Sequence, residues 1–169
     1  TPLYSSPASY VYKRQVVLAT PAATTAALLA ELCPPAATAL TAIEHASVAL
    51  VTFAYHRIDA PVPRDQSGFL VPRGEGMLMT ACSYAGSKWN LLDDGDHTLL
   101  RVSAGRIDDN RPDELDDDAL VDALTADLAA TRGLEAPPVA VRVSRWPLSL
   151  AQFRPGHRAR MADAAGQLE

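Results

Sequence analysis

The chain has 169 residues, the size of one ordinary domain or of a piece of a larger one. Apolar residues make up 48% and charged residues 21%, so a packed core is affordable and a disordered or collagen-like chain is excluded. A formal charge of -5, from 15 Lys+Arg against 20 Asp+Glu, gives no clustered basic surface for nucleic acid, and no apolar run nears the roughly 20 residues that cross a bilayer.

Thr1 to Gln15 holds four Ser/Thr, three Tyr and two Pro without periodicity, and is read as a disordered or non-native tail. It lacks the continuous apolar core of an export signal. Val16-Val17-Leu18-Ala19 predicts a short buried strand, then Thr20 an N-cap with Pro21 at the first helical position. That helix runs through Leu28, Leu29 and Leu32 and stops at Cys33-Pro34-Pro35, with a second short one over Ala36 to Ile43. Ala46 to Tyr55 is rich in β-branched and aromatic residues and reads as a strand. Gly68 to Val71, Met77 to Tyr84, Thr98 to Ser103 and Val139 to Val143 are further strands, with turns at Gly86-Ser87-Lys88-Trp89 and Asp93-Asp94-Gly95-Asp96. Asp116 to Thr131 is the best helix: Leu120, Val121, Leu124 and Leu128 share a face, acids open it, and Arg132-Gly133 close it. Consecutive strands predict an α+β fold with a mixed or antiparallel sheet, not a doubly wound parallel one.

Chemistry read from the residues alone stays general. There is no G-x-G-x-x-G and no P-loop. The acidic stretch Asp108 to Asp118 lacks the glycine and terminal glutamate of an EF-hand loop, so it reads as a solvated loop with helix-end acids. His45, His56, His97 and His157 have no ligand spacing, so no metal site is expected. Cys33 and Cys82 read as buried structural thiols in a reducing, cytoplasmic setting. The 30 alanines, and 13 Arg against 2 Lys, are the mark of GC-rich coding.

Several short words in a fixed order are more specific. They are Val16-Val-Leu-Ala-Thr-Pro-Ala22, Ser47-Val-Ala-Leu-Val51, Gly68-Phe-Leu-Val-Pro72, Thr80-Ala-Cys-Ser83 with Ser87-Lys-Trp89, and Leu99-Leu-Arg-Val-Ser-Ala-Gly-Arg106. Arg145-Trp-Pro147, Gln152-Phe153 and Pro155-Gly-His157 complete the series. In that order they resemble the central-to-late region of the protoporphyrinogen oxidase and coproporphyrinogen III oxidase family, FAD-dependent enzymes of haem biosynthesis. The resemblance implies a flavin oxidase that removes six electrons from a porphyrinogen in three flavin reductions, with O2 reoxidising the flavin to give H2O2. GC-rich coding and a soluble sequence favour coproporphyrinogen III over protoporphyrinogen IX as substrate.

The resemblance also assigns residues. Trp146 takes the position where the family's tryptophan lies against the flavin, although Ala151 and Phe153 replace the family's usual proline and tyrosine. Gly68, Phe69 and Leu70 match the segment forming one wall of the substrate cavity, an ordinary short strand being the equal alternative. Lys88-Trp89 is read as architectural, the Thr20-Pro21 turn as abutting the FAD domain, and no catalytic acid or base is assigned. The implied organisation is a tail over 1–15, part of a Rossmann-like FAD domain over 16–44, a substrate-binding sheet domain over 45–144, and a return to the FAD domain over 145–169. Both FAD-holding ends of the family lie outside this window, so the chain alone is expected to be inactive, with apolar surface bare at Val16, Leu18 and Trp146. Two alternatives stand: another flavin amine oxidase or desaturase relative, which would share the strand-Thr-Pro element but not the Ser-Lys-Trp and Pro-Gly-His words, or a ligand-binding module without flavin. No oligomeric state is implied.

Overall fold

The computed structural model describes residues 16–168, so the tail assigned to 1–15 lies outside the described residues. Two compact units divide the chain at Ile43/Glu44 and Gln152/Phe153.

The larger unit is a five-stranded, wholly antiparallel sheet. Its strands are β1 (His45–His56), β2 (Gly68–Leu70), β3 (Met79–Tyr84), β4 (His97–Ala104) and β5 (Ala140–Ala151), in the spatial order β2-β3-β4-β1-β5. Burial alternates strictly along β4, which is what period-two side-chain geometry produces when one face is covered. The covered face carries Val51, Phe53, Leu100 and Val102, all fully buried. The long helix, Asp117–Arg132, closes it with Leu120, Leu124 and Leu128, also fully buried. In chain order it is α5, after α1 (Ala22–Leu29) and α2 (Pro34–Thr41) of the smaller unit and two four-residue helices of this one, α3 (Ala85–Lys88) and α4 (Arg111–Glu114).

The ends of α5 follow from its sequence. The Asp116 carboxylate accepts a 2.8 Å hydrogen bond from the Ala119 N–H, satisfying one orphan donor. Gly133 ends the helix with φ 63°, the left-handed cap glycine adopts without a Cβ penalty. Midway, Asp127 accepts from the Met79 N–H at 2.7 Å, fastening the helix to the start of β3.

β5 is longer than the sequence suggests, and the unit extends past the boundary placed at 144. Val48 pairs with Trp146 and Ala46 with Leu150, so between these pairs one residue of β1, Ser47, faces three of β5. The excess is a bulge at Pro147-Leu148-Ser149. Proline is tolerated because β5 is an edge strand, and Leu148 takes φ 45°. The Ser47 hydroxyl accepts from the Leu148 N–H and the Ser149 hydroxyl donates to the Trp146 carbonyl, so the bulge is pinned on both sides.

The smaller unit holds α1 (Ala22–Leu29), α2 (Pro34–Thr41) and α6 (His157–Gly166), packed through Ala26, Leu29, Cys33, Ala36, Ala37 and Ala164. The strand expected at Val16–Ala19 does not form: Val16 and Val17 are exposed, and no described strand pairs with them to take up their backbone groups. Pro21, not Thr20, is the N-cap of α1, and the Thr20 and Thr25 hydroxyls bond each other at 2.7 Å. α1 ends before Leu32, which is exposed. α6 was not expected from its polar, alanine-rich sequence.

Candidate functional site

The face of the sheet opposite α5 is bare. Across it the paired residues Leu70, Ala81, Ser103, Leu50 and Ser144 form one row from β2 to β5. Next to it Val48 pairs with Trp146, and then Ala46 with Leu150. Small side chains in the middle and large ones at the margins leave an open depression of about 920 Å³. Leu70, Trp146 and Leu150 stand at its margins, 82%, 55% and 52% exposed. An antiparallel sheet facing water is ordinarily polar on its wet side; on this one Leu50, Leu70, Trp146 and Leu150 stand among Thr80, Ser103 and Ser144.

Electrostatics give the depression a sign. Arg73 and Arg106 line it, and in the adjoining row Arg101 and Arg142 both pair with Thr52. Arg73 is ion-paired to Asp108, while Arg106 donates to the Val71 carbonyl at 2.7 Å and lies near enough to Asp109 to help hold its carboxyl down. No carboxylate, histidine or cysteine is among the residues lining the depression. Such a surface can hold and orient a flat, apolar, anionic molecule; it has no pair of groups for proton transfer.

The residues singled out in the sequence fall on both faces. Trp146 is on the open face at the base of the bulge. Leu70 is on the same face, at the β2 margin. Phe69 points the other way and meets the Tyr84 ring edge-on at 6.4 Å, packed against the core. Gly68 has φ 131°, and a Cβ there would come within 2.1 Å of the Cys82 carbonyl oxygen, so it sets the close approach of β2 to β3. Val16 and Leu18 are exposed, as is Trp146.

Neighbouring words are structural. Arg145 donates to the Asp117 carboxylate at 2.8 Å and to the carbonyls of Pro112 and Leu115, tying the α4–α5 junction to β5. The Trp89 ring lies under two cations, Lys88 and Arg101, at 5.9 and 5.6 Å, and Lys88 also donates to the Ser83 hydroxyl. Three acids of the 108–118 stretch have structural partners: Asp109 pairs with Arg111, Asp116 caps α5 and Asp117 meets Arg145. The Arg111 guanidinium beside Asp109 holds its carboxyl below the usual range. Among the described residues no three His, Cys, Asp or Glu converge as metal ligands.

Both thiols are free and buried, as their sequence settings suggest. Cys82 lies on the covered face, where burial pushes its thiol up to about 11 and keeps it protonated and unreactive. Sequence reasoning missed Val48, Leu50, Leu150, Arg73 and Arg106. The available signal was β1 itself, apolar at odd and even positions alike, which marks a strand covered on both sides.

The family model for flavin containing amine oxidoreductases matches residues 8–166. A coproporphyrinogen III oxidase of Mycobacterium leprae is 35% identical over 153 residues, which is 90% of this chain and 33% of that protein. The Bacillus subtilis coproporphyrinogen III oxidase is 27% identical over 148 residues, 88% of this chain and 31% of that protein. A crystal structure from Exiguobacterium, assigned as a protoporphyrinogen oxidase, superposes with a TM-score of 0.71 at 27% identity, covering 85% of this chain and 32% of that one. The chain thus spans about a third of the length of the relatives it matches. No helix among the described residues is long and apolar enough to cross a membrane. The chain belongs to the flavin containing amine oxidoreductase family, and within it resembles the coproporphyrinogen III oxidases.

Proposed function

We propose that this chain carries the substrate-binding sheet of an FAD-dependent, cytoplasmic oxidase that converts coproporphyrinogen III to coproporphyrin III, with O2 as electron acceptor. The observation that carries the reading is the open face: an apolar depression with arginines at its margin and no carboxylate in its lining. A porphyrinogen is a broad apolar macrocycle fringed by carboxylates, and coproporphyrinogen III has four where protoporphyrinogen IX has two. A carboxylate-free, arginine-bearing rim suits the more highly charged substrate better.

The residues present also fit a flat aromatic cofactor. Trp146 is half-exposed, held by a pinned bulge, and stands beside small side chains with no charge of its own. Trp146 is the residue of this chain that would lie against the flavin. When bound, the flavin supplies the electron acceptance that no amino-acid side chain offers. This chain's residues bind and orient: Leu50, Leu70 and Leu150 exclude water from the macrocycle, while Arg106 and Arg73 fix its carboxylates. Gly68 and Phe69 contribute to the substrate wall indirectly, by holding Leu70 at the margin.

The test is expression of the entire reading frame, with porphyrin fluorescence recorded on both porphyrinogens. The expected result is bound FAD, O2 consumption and a higher kcat/KM for coproporphyrinogen III. Arg106→Ala should raise KM about tenfold, the scale of one charge-assisted hydrogen bond, with little change in kcat. A clear preference for protoporphyrinogen IX would overturn the substrate assignment.

A further inference from the structure

Resting on the reading of the open face as a porphyrinogen surface, we propose that Arg101 and Arg142 form its second carboxylate clamp and set a preference for substrates with carboxylates on two opposite edges. Both arginines pair with Thr52, one from each side, so the three side chains share the open face. Their Cα atoms are two strand spacings apart, roughly 10 Å. Ser83 pairs with Arg101 from the other side and accepts a hydrogen bond from Lys88, which brings a third cation to the same row.

Uncompensated charge singles this row out. The chain carries -5 overall, yet no carboxylate stands in the row or in its two neighbours, Leu70 to Ser144 and Leu99-Ala54-Ala140. The Arg142 guanidinium has no partner among the described residues, and that of Arg101 has the Trp89 ring, 5.6 Å away. An aromatic ring attracts a guanidinium without using up its N–H donors. Arg73, by contrast, is tied to Asp108, and Arg106 lies near Asp109. An edge strand often carries a charge that discourages further pairing, which accounts for a cation at Arg142. Arg101 is on β4, the central strand, where that reason is absent.

Placement decides what the clamp would hold. Arg101, Ser103 and Arg106 follow in order along the chain, so the row of Leu50 and Ser103 lies between two cationic ends. Arg101 stands one row from it, two residues or roughly 7 Å along the strand, within reach of an extended side chain. A ligand lying over Leu50 meets both ends only if it is anionic on opposite edges. Coproporphyrinogen III has a propionate on each of its pyrrole rings, hence on both edges. Protoporphyrinogen IX keeps propionates on two adjacent rings and has vinyl groups on the others. The Arg106 end serves either molecule, whereas the Arg101–Arg142 end finds a carboxylate only on the first.

The test uses the protein expressed from the entire reading frame. Equilibrium titrations with coproporphyrin III and protoporphyrin IX are followed by porphyrin fluorescence, and kcat/KM is measured on both porphyrinogens. Arg142→Ala and Arg101→Ala should each weaken coproporphyrin III binding about tenfold, the scale of one charge-assisted hydrogen bond. Each should lower the ratio of kcat/KM, coproporphyrinogen III over protoporphyrinogen IX, by about the same factor, through KM. Arg64→Ala removes an equal charge from an exposed loop and should move that ratio less than about twofold, since screened attraction alone is weak. Oxidation of neither porphyrinogen, or a wild-type preference for protoporphyrinogen IX, would overturn the functional reading and the clamp together. A wild-type preference for coproporphyrinogen III that either clamp substitution leaves unmoved, or that Arg64→Ala lowers equally, would overturn the clamp alone.

Discussion

The two faces of one sheet are made by the same strands and have opposite fates. On the α5 side Phe53, Leu100 and Val102 are fully buried. On the other, residues of equal hydrophobicity stand in the open, Leu70 at 82% and Trp146 at 55% exposed. The first face is stabilised by its own chain. The second holds apolar surface that nothing in its own unit covers, which is the arrangement expected of a binding surface. Equal side-chain hydrophobicity therefore does not mean equal contribution to folding.

Substitutions can break or sharpen this contrast. Phe53→Ala on the covered face should cost about 3–5 kcal/mol in urea unfolding, through lost burial and a residual cavity. Gly68→Ala, which puts a Cβ against the Cys82 carbonyl at a positive φ, should cost about 1–3 kcal/mol and loosen β2, visible as faster amide exchange at Leu70. Asp116→Ala removes the α5 cap and should cost about 1 kcal/mol. Leu70→Ser on the open face should change stability by no more than about 0.5 kcal/mol. If it costs as much as Phe53→Ala, the contrast between the faces fails.

A pH titration separates the sheet from its turns. Hydrogen bonds from the His97 side chain and backbone hold the Asp94 carboxyl at about 2, below its ordinary 3.8. A depressed carboxylate favours the folded turn above its unfolded value and loses that contribution as pH falls through the folded one. The turn before β4 should therefore stay closed at pH 4 and open between about 4 and 2, followed by NMR at His97, with the covered core unchanged in that window.

Much of the larger unit was legible because local signals agree with tertiary ones. In α5 an apolar face, opening acids and a closing glycine all mark the same element, and its observed span differs by a single residue at each end. β5 was legible only to Val143, because Pro147 reads as a stop; an edge position and a bulge are tertiary facts that a lone proline does not announce. Val16–Ala19 fails for the converse reason. An apolar run is a strand only if a neighbour takes its hydrogen bonds, and none does among the described residues. For the candidate site, ordered motif words located Trp146 and Leu70. They could not show that Phe69, between Gly68 and Leu70, turns inward, nor that Arg106, more than thirty positions from Leu70 in the chain, lines the same depression.

Arg145 and Trp146 share a peptide bond and serve opposite sides of the sheet. The guanidinium of the first is a bolt through the helix junction, and the indole of the second is its head on the far surface. Asp117→Ala would remove one of the three acceptors that hold Arg145 without touching the depression, and would leave the carbonyls of Pro112 and Leu115 in place. The residue before the indole is thus fastened from the helix side of the sheet.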